Sequence, residues 1–399
     1  MAPSLPFADL PRVRCHVLIC PDKFKGTLTA LQAARAIARG WHRVRPRDTL
    51  DLLPISDGGD GFGEVCGHLL GAQTRHASTI DAAGRPCRVR WWWVPSRNLA
   101  LVESARAIGL ARLPPGRFHP FELDTSGLGA LLRRVARSGA SRVLLGLGGS
   151  ATNDGGFGLG RALGWRFYDR RGRELLRWTE LSRLARVEPP PCPALFRSLT
   201  AAVDVTNPLL GPRGATRIYG PQKGLRPEDF PLAERCLRRL ATVMEEFWRR
   251  PLANQPGAGA AGGLGFGVLA FARGRLVPGF AWVARHARLW QRLRAADLVI
   301  TGEGGLDRSS LMGKGVGQIA LACRRRRVPC LALVGRLTPW PDLSEWFRRT
   351  YALTSAFDEV RAQTRAAEAL AELAERAARD WSVDLVSNPP AETRKRADS

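Results

Sequence analysis

The chain has 399 residues, 45% of them hydrophobic, with 61 Lys and Arg against 36 Asp and Glu for a formal net charge of +25. That is too long for one ordinary hydrophobic core and apolar enough to build sizeable ones, so two globular domains are expected. The charge invites a nucleic-acid reading, but the basic residues are scattered, with short runs such as Arg324–Arg327, and form no stripe with interleaved aromatics. Non-specific attraction to polyanions at low salt follows from such a charge; specific nucleic-acid binding does not.

Eight cysteines (15, 20, 66, 87, 192, 236, 323 and 330) form no C-x-x-C pair and no regular frame. They read as small buried residues of a reducing compartment, not as disulfides or zinc ligands. LICPDKFKG turns polar directly after its apolar start, so no cleavable signal is expected there. The longest uncharged stretch, Pro251–Ala272, holds six glycines in 257–267 and two prolines, and reads as a glycine loop running into a helix, not as a membrane span. A cytoplasmic protein without membrane contact is expected.

In chain order, Val13–Cys20 reads as a strand, PDKFKGT as its exit loop and Ala30–Arg39 as a helix. Thr49–Ile55 is a second strand, ending in SDGGDGFG and a helix through Leu70. Cys87–Val94 and Leu99–Glu103 read as paired strands. The apolar run Val143–Leu147 empties into LGLGGSATNDGGFG (145–158), and the segment to about residue 290 carries further glycine loops. Asp297–Ile300 is a strand that leads into VITGEGGLDRSSLMGKG (299–315), a helix at Gly317–Cys323 and a strand at Pro329–Val334. Strand–loop–helix units at this spacing predict an α/β architecture whose ligand loops gather at the carboxyl ends of parallel strands. The expected layout is one domain built from both chain ends, 14–80 plus 291–385, interrupted by an inserted domain over 81–290, with the catalytic cleft between them. Residues 1–13 and 386–399 are expected to be flexible.

The glycine loops suggest the chemistry. Backbone without Cβ atoms can come close to a ligand, and its N–H groups can cradle an anion. Five of the 61 basic residues are lysine, so 56 are arginine, and four of the five lysines fall in glycine-rich or acidic motifs: Lys23 and Lys25 in PDKFKGT, Lys223 in GPQKG, Lys314 in MGKG. An ammonium is a compact point charge suited to a tight phosphate or carboxylate site. With Glu303 and Asp307 in the same loop as Lys314, the residues point to phosphoryl transfer. Lys25 and Lys314 are the foremost cationic candidates.

Six segments occur in a telling order: PDKFKGT, PISDGGDG, GLGGSATNDGGFG, NPLLGPRGATRIYGPQKG, GAAGGLGFG and DLVITGEGGLD…GK. Together, over about residues 14–385, they closely resemble the bacterial glycerate kinase family, the type that yields 2-phosphoglycerate. The resemblance implies an ATP-dependent, magnesium-requiring kinase of D-glycerate. It also implies a flavodoxin-like domain from the two termini and an inserted restriction-enzyme-like domain. Departures from the family pattern fall at Asp57–Phe62 (DGGDGF for DGGEGT), at Gly127–Ala130 (GLGA for GTGE), at Gly305, where arginine is frequent, and at Arg106 in the segment after Glu103. They bear on substrate preference and efficiency more than on reaction class.

Residue by residue, Gly148, Gly149, Ser150, Thr152 and Asn153, with Gly302 and Gly304, are expected to bind phosphate or nucleotide, Ser150 lying at a helix N-terminus where it either caps or binds. Asp57, Asp60, Glu303 and Asp307 are oxygen donors for Mg²⁺, which needs only one or two carboxylates; the others either orient a lysine or act as base. Lys25, Asp57, Asp154, Glu303 and Lys314 are the expected catalytic set. Asp22, Asp204, Gln222 and Lys223 are expected to meet the substrate, though Asp22 serves equally as a helix cap and Asp204 as a structural turn. The six histidines form no metal spacing and read as structural. Gly146-x-Gly148-x-x-Ala151 mimics a dinucleotide fingerprint, but Asp169 is a poor match for its acidic partner. Walker A fails, because Gly315 follows Lys314 and Arg308 stands where its first glycine would be.

Overall fold

Val17, Leu18, Ile19 and Cys20 are all fully buried, so both faces of their strand are covered, as in a parallel sheet between helix layers. The main elements in chain order are β1 (His16–Pro21), α1 (Ala30–Val44), β2 (Thr49–Leu52), α2 (Phe62–Leu69), β3 (Gln73–Ile80), β4 (Pro86–Val94), β5 (Leu99–Glu103), α3 (Ser126–Arg137), β6 (Arg142–Gly146), α4 (Phe157–Leu163), β7 (Arg166–Asp169), β8 (Leu184–Glu188), β9 (Ser198–Val203), α5 (Phe230–Trp248), α6 (Ala260–Phe271), β10 (Arg275–Pro278), β11 (Leu298–Gly302), α7 (Gly315–Arg326), β12 (Cys330–Val334), β13 (Arg349–Ala352) and α8 (Ala366–Ser387). The computed structural model describes residues 14–192, 194–311 and 315–387. The ends expected to be flexible lie outside these, save Val386 and Ser387 in α8. The chain divides into two compact units, Met1–Ser56 with Ala284–Ser399, and Asp57–Val283.

In the first unit five parallel strands run in the order β2-β1-β11-β12-β13. Counted along the unit's own chain this is 2-1-3-4-5, the flavodoxin-like order, which reverses between β1 and β11; ligand crevices open at the carboxyl ends of strands at such a reversal. α1 begins at a capping box, in which the Gln32 amide donates to Thr29 Oγ1 and the Thr29 amide donates back to Gln32 Oε1. Alanines on α1 and α8 let the two helices pack closely over the core. Where β1 and β2 start, the buried Asp48 carboxylate accepts from Arg45 Nε (2.6 Å) and Nη2 (3.0 Å), Trp41 Nε1 (2.9 Å) and the Cys15 amide (3.0 Å). Arg45 also donates to Ser382 Oγ at 3.1 Å, which ties α8 to the same point.

The second unit holds a six-stranded sheet in the order β10-β9-β6-β5-β4-β3, parallel from β10 to β5 and antiparallel from there to β3. One of its cores includes Trp91, Trp93, Leu128, Leu132, Val143 and Leu145; another is aromatic, with Phe157, Trp165, Phe167, Trp178, Phe266 and Phe271. Residues 57–80, expected in the terminal domain, group with this unit. β3 pairs with β4 along its whole length, Gln73 opposite Trp93 through Ile80 opposite Pro86. α2 rests on Trp92, whose ring would lie 2.2 Å from a Cβ built on Gly63.

All eight cysteines are free; six are buried, Cys87 is half-buried and Cys192 is exposed, the one clear departure from the expected buried set. Pro251–Ala272 does lead into a helix, α6. No helix among the described residues is long and apolar enough to cross a membrane.

Candidate active site

In the first unit β1 and β11 end side by side, with Pro21 opposite Gly302. The Asp22 amide donates to the Gly302 carbonyl at 2.8 Å, and the Asp22 carboxylate accepts from the Lys23 amide at 2.7 Å. Phe24 is buried and anchors the loop, and Lys25 beyond it is exposed. Gly304 fits against this loop only because it lacks a side chain, since a Cβ there would lie 2.9 Å from the Lys25 amide nitrogen. Glu303 is half-buried, and its carbonyl accepts from the Gly335 amide at 3.0 Å. Asp307 is exposed further along the loop and closes a turn by accepting from the Ser309 amide at 2.7 Å. Asp22, Lys25, Gly302, Glu303 and Gly304 therefore gather at the sheet's order reversal. Lys314 lies outside the described residues.

In the second unit the acidic loop Asp57–Gly61 and the turn Leu147–Ser150 lie on one another, where β6 and β9 end. A Cβ on Gly148 would sit 2.8 Å from Gly59 Cα, and one on Gly149, whose φ is +61°, would sit 2.6 Å from an Asp60 carboxylate oxygen. The two glycine-rich motifs thus explain each other, because each permits the other's approach. This brings the Asp60 carboxylate onto the Gly149 turn. Asp57 is half-buried and accepts from the Gly59 amide at 3.1 Å.

Sequence reasoning missed the support beneath this loop. Glu103, at the end of β5 and buried, accepts from the Gly63 amide at the start of α2 (2.7 Å) and from Arg106 Nε (2.7 Å). Burial pushes its carboxyl up, while Arg106 and the Gly63 amide pull it down. Arg106 also lies over the Trp92 ring, 5.2 Å from its centroid. A carboxylate at a strand's carboxyl end was the available signal.

The segment after Ser150 differs from expectation. α4 starts at Phe157, so Ser150 is not at a helix N-terminus. Asp154 takes the amides there instead. Its fully buried carboxylate accepts from the amides of Gly156 (3.1 Å) and Gly158 (2.9 Å), and from the amide (3.0 Å) and hydroxyl (2.8 Å) of Thr125 just before α3. Burial first, then Asp124 nearby, pushes this carboxyl up to about 6, with the bonds from Gly158 and Thr125 opposing. Asn153 Nδ2 donates to Thr216 Oγ1 at 3.0 Å, and all of Thr152, Asn153 and Thr216 are buried. Thr125 and Thr216 were not singled out from the sequence. A threonine directly before a helical pattern was a legible sign for Thr125; nothing local marked Thr216.

Lys223 is buried, at 6% exposure, while Gln222 beside it is exposed. The lysine Nζ donates to Ser150 Oγ at 3.0 Å and to the Thr152 carbonyl at 2.7 Å. Burial pushes its pKa down to about 7, against the pull of Asp154. Gly262 (φ +72°) packs directly against this point, since a Cβ there would sit 1.8 Å from the Thr152 carbonyl oxygen and 2.8 Å from Nζ. Asp204 is exposed just beyond β9. GGSATND, GPQKG and GAAGG thus meet at one buried ammonium.

Residues 17–382 match the family model described as the Glycerate kinase family. The chain is 36% identical over 324 residues to a glycerate kinase of Halalkalibacterium halodurans, covering 80% of this chain and 85% of that one. It is 33% identical over 328 residues to the glycerate 2-kinase of Escherichia coli, covering 81% and 85%. Its fold is similar to the crystal structure of a protein provisionally assigned as glycerate kinase 2 from Salmonella typhimurium LT2, with a TM-score of 0.79, 29% identity, and 93% and 99% of the two chains covered.

Proposed function

The chain belongs to the glycerate kinase family, and from that premise we propose that it transfers the terminal phosphoryl group of ATP to the 2-hydroxyl of D-glycerate. One observation carries the reading at the level of the site. The acidic and glycine-rich loops stand at the carboxyl ends of parallel strands, one group at the β1/β11 order reversal and the other at β5, β6 and β9. That is where open α/β sheets bind ligands.

Phosphoryl transfer asks a protein to position two reactants and to neutralise charge that spreads over the moving group. The backbone amides of Gly148 and Gly149 with the Ser150 hydroxyl, and those of Gly302 and Gly304, are assigned to phosphate oxygens. Lys25 and Lys314 are assigned to the transferring group and the substrate carboxylate, and Asp22, Asp204 and Gln222 to the substrate. One carboxylate, Asp57 or Glu303, accepts the proton of the attacking hydroxyl as the new O–P bond forms and the bond to ADP breaks. Asp154, with four donors already on its carboxylate, is assigned to holding the loop instead of touching substrate.

The residues present fit a magnesium ion. Among the described residues no three His, Cys, Asp or Glu side chains form a metal cage, and Mg²⁺ ordinarily takes one or two carboxylates, with waters and substrate phosphates completing its shell. The Asp60 carboxylate beside the Gly149 turn, in space that a Cβ would fill, meets that need with Asp57; Glu303 and Asp307 are the corresponding candidates in the first unit. When bound, the ion supplies neutralisation of the nucleotide's terminal phosphates.

The test is ADP release with D-glycerate and Mg²⁺, followed by enolase alone. Phosphoenolpyruvate is expected directly. Product that enolase accepts only after phosphoglycerate mutase is added would move the acceptor to the 3-hydroxyl. Folded protein releasing no ADP would refute glycerate as the substrate.

A further inference from the structure

Two cations stand by the Gly148–Ser150 turn. Lys223 is buried, with protons held by Ser150 Oγ and the Thr152 carbonyl. The Arg106 side chain, at one of the departures from the family pattern, is 30% exposed. Its segment is tied to the glycine turn at three points. The amides of Ser104 and Leu110 donate to the carbonyls of Gly146 (3.0 Å) and Gly149 (2.8 Å), and the Ala151 amide donates to the Ile108 carbonyl (2.9 Å). The anchor of Arg106 is Glu103, which accepts from the Gly63 amide where the acidic loop Asp57–Gly61 enters α2. Burial chiefly, and Asp60 to a smaller degree, pushes the Glu103 carboxyl up, which sets the Asp60 carboxylate in the same neighbourhood.

Neutralising Glu103 uses little of this guanidinium. An arginine frequently meets a carboxylate through two parallel N–H bonds. Here one Glu103 oxygen is taken by the Gly63 amide, and the other accepts from Arg106 Nε at 2.7 Å. The Nη protons have no acceptor among the described residues. The guanidinium is also held in place, by that bond and by the Trp92 ring, whose centroid is 5.2 Å from Cζ. A planar set of donors fixed before a ligand arrives loses little entropy on binding, and its geometry suits two oxygens of one anionic group. We infer that the Nη edge of Arg106 binds an oxyanion of one reactant, a nucleotide phosphate or the glycerate carboxylate, beside the Gly148–Ser150 turn. The inference rests on the kinase reading above and adds to it a ligand contact that the family pattern does not supply.

The experiment is calorimetric binding of MgADP, and separately of D-glycerate, to the full chain for wild type, R106Q, R106K and the double variant E103Q/R106Q. R106Q should weaken one of the two ligands by about 10–100-fold, the range of lost hydrogen bonds to a charged partner, and change the other by less than roughly threefold. A loss confined to MgADP assigns the anion to the nucleotide phosphate; a loss confined to D-glycerate assigns it to the carboxylate. R106K keeps the charge without the planar fork and should lie between wild type and R106Q. E103Q/R106Q exchanges the ion pair for two neutral amides, so no unpaired Glu103 carboxylate is left, and it should show the same selective loss. That variant carries the test if R106Q does not fold. An arginine that only neutralises Glu103 leads to other results: both affinities unchanged in R106Q, or both weakened alike and recovered in E103Q/R106Q. Either would overturn the proposal. Wild-type protein that binds neither ligand overturns the kinase reading itself; wild type and R106Q binding both ligands equally well overturns only the role of Arg106.

Discussion

Gly262→Ala should destabilise the second unit by about 2–4 kcal/mol, and the figure separates into two parts. The first is conformational: Gly262 has φ +72°, where an alanine costs about 1–2 kcal/mol, partly offset by about 0.4–1 kcal/mol from a less flexible unfolded chain. The second is the close approach. A Cβ 1.8 Å from the Thr152 carbonyl oxygen and 2.7 Å from its carbon meets backbone, which no rotamer change relieves, and forced overpacking costs about 1–3 kcal/mol. Gly71→Ala is the matched control. Its φ is +60° and a Cβ there meets nothing within 4 Å, so it carries only the first part, about 1 kcal/mol or less. Scanning calorimetry reads the difference. For a domain of 150–250 residues each kcal/mol moves Tm by about 2–4 °C, so G262A should unfold roughly 2–12 °C below G71A. Equal midpoints for the two variants would mean that Gly262 does not press on Thr152, and would refute the close approach.

Asp48→Ala leaves the Arg45 charge buried at 6% exposure without its carboxylate and should cost the first unit about 3–5 kcal/mol by urea unfolding; a loss below about 1 kcal/mol would show that the Asp48 network adds nothing. Arg106→Gln should cost about 1–3 kcal/mol, and more at neutral than at acidic pH, because the variant must either bury an unpaired Glu103 carboxylate or protonate it; a pH-independent loss would contradict this. Asp154 holds its proton more tightly folded than unfolded, with its pKa raised from 3.8 to about 6. Its contribution to stability is therefore full below the lower value and falls as pH rises through the higher one, by up to about 3 kcal/mol. The stability of wild type relative to Asp154→Asn should drop across that window, and a flat difference would refute the assignment. Asp57→Asn and Lys25→Ala should each lower turnover by at least about 100-fold without unfolding the protein; near-normal rates in either would remove that residue from the site.

Much of the site was legible because its parts are local. An apolar run, a glycine-dense exit and a helical pattern lie within some twenty residues, so β1, β6 and β11 and the loops that follow them could be read from the chain. Six such segments in one order pointed to a family before any tertiary contact was known. The lysines stood out for a related reason, being rare in an arginine-rich chain.

What the chain alone determined, then, is which segments form the glycine-rich and acidic loops at the strand ends. What only the tertiary structure decided is which residues stand under them. Ser150 was expected at a helix N-terminus, to bind phosphate or to cap, yet Asp154 takes those amides, because the helix starts at Phe157. Lys223 was expected to face a substrate, yet it is buried 71–73 residues away in sequence from the loop it holds. Glu103 reaches 40 residues back to Gly63, and residues 57–80 join the second unit through β3–β4 pairing and the Trp92 contact with α2. Glycine, lysine and carboxylate are ambiguous letters in one dimension. Whether a lysine meets solvent or a backbone carbonyl, and whether a glycine frees a turn or admits a neighbour, depends on strand order, and strand order is set by long-range burial that no local window contains.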